Sequence, residues 1–436
     1  MASSMGKRRW WIMTLFFLCY TVLYMARASV SMTGPAMIAH YGWSKTDFGL
    51  VSTAFFLGYA STMVLGGALA DKLGGGKVLC AAAVLWSLFV FLTPIPVGAS
   101  ALILMIVVRA ACGMAQGVAL PAMTSMIARW VPKKESGLAQ GISLIGVAAG
   151  LAVTMPLAAW VINTQGWEMV FYSFAFIGPV WVLIWWKFGY QSPDQDPYIT
   201  PDELAYIRDA GGVRDASAAV RADDPDQQLT IGEAYAQPAV WIGAISILCT
   251  HFLFYLFMTW LPTYFADGRG LSITGSALSS MLPYVAAMIT YPLGGVLTDK
   301  CSQKFGDNIG RKVLPCVGLL AAAVLLYMAT RAASITAATA LVTLSNGFLC
   351  LTMSGYYSIP IVFSRKHAGK LVGLWATFAS VGGIIAPMVT GIFVDSFGYD
   401  FALSFGAAMA FVAAILLIFV RVAPFGESLA ARRAAR

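Results

Sequence analysis

Apolar residues in this chain come in long unbroken runs, without the strict alternation of a half-buried strand. Runs such as Trp10 to Tyr24, Val78 to Thr93 and Phe401 to Val420 recur along almost the whole length, and about twelve can be counted. Each is long enough to form the core of a helix of about 20 residues that crosses a bilayer. The pattern therefore predicts an all-α membrane protein with twelve transmembrane helices. One stretch breaks it: from Gln191 to Pro238 lie ten of the twenty acidic residues, including Asp194, Asp202, Glu203, Asp223, Asp224 and Glu233. This segment reads as a cytosolic linker that divides the spans into an N-terminal six-helix bundle (1-190), the linker itself (191-238) and a C-terminal six-helix bundle (239-436). Within it, Thr200-Pro201-Asp202-Glu203 supplies a cap, a first-turn proline and early acids, so a short surface helix is expected to begin there.

Composition agrees, with 59% of the 436 residues hydrophobic and 11% charged, against about 25% charged in soluble domains. The net charge of +8 would suit nucleic acid, but the placement of the basic residues excludes that reading. With Lys7, Arg8 and Arg9 in the cytoplasm and twelve spans following, one side collects Lys72/Lys77, Arg129/Lys133/Lys134, Lys300/Lys304/Arg311/Lys312, Arg365/Lys366/Lys370 and the tail Arg421 to Arg436. The other side holds only Lys45, Arg269 and Arg331. This is the positive-inside asymmetry, and it puts both termini in the cytoplasm. The basic start runs into Trp10 without a small-residue cleavage site, so the first span is expected to be retained. Seven scattered cysteines (Cys19, Cys80, Cys112, Cys249, Cys301, Cys316, Cys350) show neither metal nor disulfide spacing and read as small apolar residues. No cofactor, metal or nucleic-acid partner is expected; the lipid bilayer is, and the chain is expected to be a monomer in a bacterial inner membrane.

The halves echo each other. Gly66-Gly67-Ala68-Leu69-Ala70-Asp71-Lys72 recurs as Gly294-Gly295-Val296-Leu297-Thr298-Asp299-Lys300, each at the cytoplasmic end of the second span of its half. Gly166-Trp167 after the fifth span corresponds to Gly398-Tyr399 after the eleventh. Such repeats mark transporters that alternate access around a midplane site. The stretch from Gly67 to Gly74 resembles the loop signature of the major facilitator superfamily, and Arg109-x-x-x-Gly113-x-x-x-Gly117-x-x-x-Pro121 resembles its fourth-helix motif. More narrowly, the chain resembles the anion:cation symporter family, which includes bacterial sugar-acid transporters, sialin and vesicular glutamate transporters. That resemblance is carried by Gly58-Tyr59 ahead of Gly66-Gly67, by the linker run from Asp196 to Ile207, and by Phe254-Tyr255 through Leu261-Pro262-Thr263-Tyr264. It implies the major facilitator fold and gating roles for Gly67, Asp71, Lys72, Gly295, Asp299 and Lys300, with Asp71 and Asp299 latching helix ends.

Charges inside the spans point to the cargo. Arg27 and Arg109 lie well inside, whereas every Asp and Glu falls outside the spans or at their ends. A guanidinium at the bilayer centre costs roughly 2.5 to 3.5 kcal/mol, so such a residue is expected to face a cavity or a partner. Here the natural partner is an incoming anion. Tyr20, Tyr24, Arg27 and Ser31 share one face of the first helix. Arg27 offers a fork that matches a carboxylate or phosphate, and the tyrosines suit hydroxyls or the substrate body. The alternative is an Arg27 bonded to carbonyls of a helix broken near Gly34-Pro35. Arg109 is either a ligand or a structural and coupling residue, and Gln116 shares its face. In the second half, His251, Tyr255, Thr259 and Pro262 share a face of the seventh span, and Asn346, Cys350, Ser354 and Tyr357 a face of the tenth. Tyr59, Tyr284 and Tyr291 are further candidate walls. His251 alone among groups inside the spans titrates near neutrality and is the candidate proton carrier.

Proton-coupled members of the resembled family carry an Asp before the first-helix arginine and a Glu in the fourth helix; this chain has Ala26 and Gln116 there. Coupling is therefore open between a proton on His251, a proton carried by the substrate, and exchange with a counter-anion. The pattern Tyr24-x-x-Arg27 with Pro35 is similar to organophosphate:phosphate exchangers, but their second arginine in the seventh helix is missing. The expected function is transport of a small organic anion, such as a carboxylate, sugar acid or aromatic acid. A multidrug effluxer would keep a buried acid, and an intramembrane enzyme would need an aligned nucleophile, base or metal cluster.

Overall fold

The computed structural model describes residues 7–98, 100–132, 135–209, 229–364 and 367–426. Lys133, Lys134, Arg365, Lys366, the acidic pair Asp223 and Asp224, the tail beyond 426, and the surroundings of Gly67 and Asp71 lie outside the described residues. Among those described, the regular elements are helices. The first are α1 (Arg8–Tyr41), α2 (Lys45–Leu73), α3 (Gly75–Leu92), α4 (Ala101–Gly117), α5 (Ala119–Trp130), α6 (Ser136–Gln165), α7 (Glu168–Ala175) and α8 (Ile177–Phe188). In the linker lie α9 (Pro201–Asp209) and α10 (Ile231–Tyr235). The rest are α11 (Pro238–Thr263), α12 (Ile273–Phe305), α13 (Asp307–Arg331), α14 (Ile335–Phe363), α15 (Ala368–Phe397) and α16 (Tyr399–Phe419).

Eleven helical stretches are long and apolar enough to cross a membrane, with α4 running on into α5 and α7 into α8. Helix α2, of 29 residues, lies between the first two of these in sequence and starts with a capping box in which Ser44 and Asp47 satisfy each other's backbone N–H. Large apolar side chains such as Leu57, Ile103, Val107, Leu183 and Trp186 are exposed, as a surface that meets lipid requires. The chain sorts into two compact units, one of residues 1–219 with 270–281 and one of 220–269 with 282–436.

In hydrocarbon, apolar helices gain little from hydrophobicity alone, and small residues that let backbones touch carry the packing. In the first unit, α1 lies along α6 and α2 along α4. A Cβ added at Gly113 would sit 1.9 Å from the Phe55 carbonyl oxygen, one at Gly117 2.3 Å from that of Tyr59, and one at Gly58 2.0 Å from that of Ala110. In the second unit α11 lies along α15, where a Cβ at Gly382 would come within 2.7 Å of the Leu248 oxygen.

The duplicated punctuation has a common backbone basis. Gly166 caps α6 with φ 95° and ψ 165°, and Gly398 caps α15 with φ 82° and ψ 173°. Each donates its N–H to the carbonyl four residues earlier, Ile162 and Val394. Only glycine occupies that region without strain.

The linker's first helix does more than lie on the surface. Thr200 accepts from the Glu203 N–H, as a cap should. The Glu203 carboxylate, fully buried, accepts the backbone N–H groups of Arg8 and Arg9 at 3.0 and 3.1 Å and the Arg9 Nη1 at 3.0 Å. Helix α1 has no side-chain cap of its own, so a carboxylate from 195 residues away fills that place, where the helix dipole favours an anion. Arg9 also meets Glu135 at 3.0 Å, and Arg8 meets Asp196 at 2.5 Å and the Phe188 carbonyl at 2.7 Å. Asp196 and Glu203 thus bolt the linker to the start of α1, and Arg8 ties that start to the end of α8.

Two outcomes follow for stability. Glu203→Ala, which leaves buried donors without their acceptor, should cost about 3–5 kcal/mol, read as a lower melting temperature in detergent, while exposed Asp202→Ala leaves it unchanged. Gly398→Ala, where an added Cβ meets nothing within 4 Å, should cost about 1–3 kcal/mol through backbone strain alone.

Candidate functional site

Three helices of the first unit bring predicted ligand residues together. Helix α1 contributes Tyr20, Tyr24 and Arg27; it runs unbroken through Pro35 to Tyr41, so the alternative of a broken helix binding Arg27 does not hold. Its rotation is set from behind by α6, where a Cβ at Gly146 would lie 3.0 Å from the Tyr20 Cβ and one at Gly150 2.9 Å from the Tyr24 Cβ. The backbone contacts between α2 and α4 then place Phe55 and Tyr59 opposite Arg109 and Gln116.

Arg27 is 4% exposed. Its Nε and Nη2 each lie 3.3 Å from Gln116 Oε1; a guanidinium carries only donors, so the amide turns its oxygen inward. The guanidinium carbon stands 4.6 Å from the Tyr24 ring centre, 4.9 Å from Phe55 and 4.7 Å from Tyr59. Arg109, 2% exposed, stands 4.7 Å over the same Phe55 ring. Its Nη1 has a long contact of 4.0 Å with Cys112 Sγ, and its Nε makes no hydrogen bond.

The two guanidinium carbons each lie within 5 Å of one ring centre, so they are less than 10 Å apart. At an effective dielectric of about 20, such charges repel by about 2 kcal/mol. Helices α1 and α4 contain no acid, and those of α2, Asp47 and Asp71, stand at its ends. The result is a buried, doubly cationic, aromatic-walled place with neutral hydrogen-bonding groups beside it. Its natural complement is an anion whose oxygens take the guanidinium donors.

The second unit assembles a smaller polar cluster. His251 Nδ1 lies 3.0 Å from the Ile247 carbonyl, which can only accept, so Nδ1 carries the hydrogen. Nε2 is then an acceptor, 3.4 Å from the Tyr357 hydroxyl. The Tyr255 ring centre is 6.0 Å from that of His251. Asn346 does not join them: its Nδ2 donates to the Pro283 carbonyl at 2.8 Å and ties α14 to α12. Tyr284 likewise donates to the Phe257 carbonyl at 3.2 Å. Among the expected gating residues, Lys72, Asp299 and Lys300 are exposed, and a Cβ at Gly295 would have ordinary room, 3.7 Å from Ser354.

Phe55 was not among the residues expected at the site. Its signal was present, four residues before Tyr59 on the same helix face, but an apolar ring in an apolar span stands out only once its cations are located.

The sequence matches the profile of the Major Facilitator Superfamily over residues 16–305 and 302–436. It is 31% identical over 397 residues to the chloroplastic ascorbate transporter of Arabidopsis thaliana, covering 90% of this chain and 71% of that one. It is 30% identical over 416 residues to a probable sulfoacetate transporter of Cupriavidus necator, covering 95% and 94%. Among solved structures, that of a D-xylose–proton symporter superposes with a TM-score of 0.74 at 16% identity, covering 95% of this chain and 98% of that one. The chain belongs to the major facilitator superfamily.

Proposed function

We propose that this protein is a secondary transporter of a small organic anion, a carboxylate such as a sugar acid or aromatic acid, taken up across a bacterial inner membrane. The observation that carries the reading is the buried pair Arg27 and Arg109 in helices whose acids stand only at their ends. Support comes from relatives named for ascorbate and sulfoacetate, both anions with several oxygens.

In this reading the carboxylate displaces the neutral Gln116 oxygen from Arg27 and takes the fork bidentately. A neutral amide is easier to displace than a paired carboxylate, because it gives up a weaker hydrogen bond. Tyr24 and Tyr59 offer hydroxyls and ring faces to the substrate body, and Tyr20 extends the same helix face. Residues 1–190 and 239–436 are the two working halves of the cycle, tethered by 191–238, and the Gly67–Lys72 and Gly295–Lys300 segments act as its gates. His251, with Nε2 held as an acceptor, is the group that would carry a coupled proton, and Tyr255 and Tyr357 beside it are substrate-binding residues. Exchange for a counter-anion would need no such group.

Uptake into proteoliposomes of labelled ascorbate, glucuronate, sulfoacetate and phosphate, with an imposed proton gradient or with a trapped counter-anion, identifies both cargo and coupling. Arg27→Ala should lower affinity for the transported anion about 10- to 100-fold; unchanged uptake of every anion that the wild type moves would overturn the reading. Gln116→Glu sets a carboxylate where the amide oxygen now meets Arg27 and so competes with the cargo. Affinity should fall roughly tenfold at neutral pH and recover as acidification protonates the new group. A pH-independent Kd in that variant would show that Gln116 does not compete with the anion.

A further inference from the structure

We infer that Phe55 is a positioning residue of the anion site: its ring is the shared partner that sets Arg27 and Arg109 in place before an anion arrives. This rests on the anion-binding reading above, and it goes further by assigning the spacing of the two cations to a side chain without any polar atom.

The backbone under Phe55 is pinned, because its carbonyl oxygen fills the space that a side chain on Gly113 would need. The ring itself is 1% exposed. Phe56 meets it edge-on at 5.3 Å and 88°, and Tyr59 lies nearly parallel at 6.4 Å and 21°. It therefore has a fixed place, and both guanidiniums are referred to it, at 4.9 and 4.7 Å. The negative face of an aromatic ring attracts a cation, and most strongly where water is excluded. A ring seen by two guanidiniums offsets part of their mutual repulsion without an acid that would compete with the cargo.

Arg109 depends on it most. Its Nε is buried without a hydrogen bond, and its Nη1 has only the distant Cys112 sulfur. Directional hydrogen bonds therefore do little to locate this side chain, whereas the ring beneath it does. An aliphatic residue of similar size would fill the space but leave the two charges unshielded from each other.

The experiment separates the electrostatics of the ring from its volume. Phe55 is replaced, by nonsense suppression, with mono-, di- and trifluorophenylalanine, which nearly keep the shape while draining the π face step by step. Phe55→Tyr and Phe55→Leu are made alongside, with Arg27→Ala as the control. Kd is measured in detergent for ascorbate, glucuronate, sulfoacetate and phosphate, and melting temperature for every variant. The expected result is a Kd that climbs with each fluorine to roughly tenfold at the trifluoro ring, a similar loss in Phe55→Leu, near-wild-type binding in Phe55→Tyr, and little change in melting temperature across the fluorine series.

A flat Kd across the fluorinated rings overturns the proposal, even if Phe55→Leu binds weakly, because packing alone then explains the leucine. If Arg27→Ala abolishes binding while the fluorine series is flat, the anion site stands and Phe55 is only filler. If Arg27→Ala binds every probe like the wild type, or the wild type binds none of them, the anion reading fails and takes this inference with it.

Discussion

A guanidinium inside an apolar bundle has to be matched by something, and most of the first unit is arranged around how Arg27 and Arg109 are matched. An acid would do this most strongly, yet it would also compete with an anionic guest. The protein uses softer partners: an amide oxygen at 3.3 Å and three aromatic rings within 5 Å of Arg27, one of them shared with Arg109. These partners hold the charges without neutralising them, which leaves net positive potential for a ligand to use.

That arrangement depends on backbones that touch. Gly58, Gly113 and Gly117 between α2 and α4, and Gly146 and Gly150 between α1 and α6, leave no room for a Cβ. The side chains they bring together start from fixed roots, so their geometry is set by the scaffold and not by long flexible arms. At the far end of the unit, the linker carboxylates close over the start of α1. The helix that carries Arg27 is thus held along its length by α6 and at its tip by Glu203.

Much of the fold could be read directly. Lipid imposes a cost that depends on each residue and its near neighbours, so the succession of long apolar helices is a local property of the chain. The paired Gly166 and Gly398 turns were visible for the same reason, since a backbone region open to glycine alone leaves its mark in a single letter. Arg27 and Arg109 could be singled out because a buried cation is expensive wherever it points.

What the sequence by itself determined, then, is which stretches are long and apolar enough to form spans and which charged residues fall inside them. Tertiary structure decided who meets whom. Gln116 reaches Arg27 from 89 residues away, Glu203 caps α1 from 195, Asn346 donates to the Pro283 carbonyl of another helix, and Phe55 lies within 5 Å of two guanidinium carbons. These pairings join segments remote in sequence, and those around Arg27 depend on interhelical distances and rotations fixed by glycine contacts. No local pattern of polar and apolar residues contains that information.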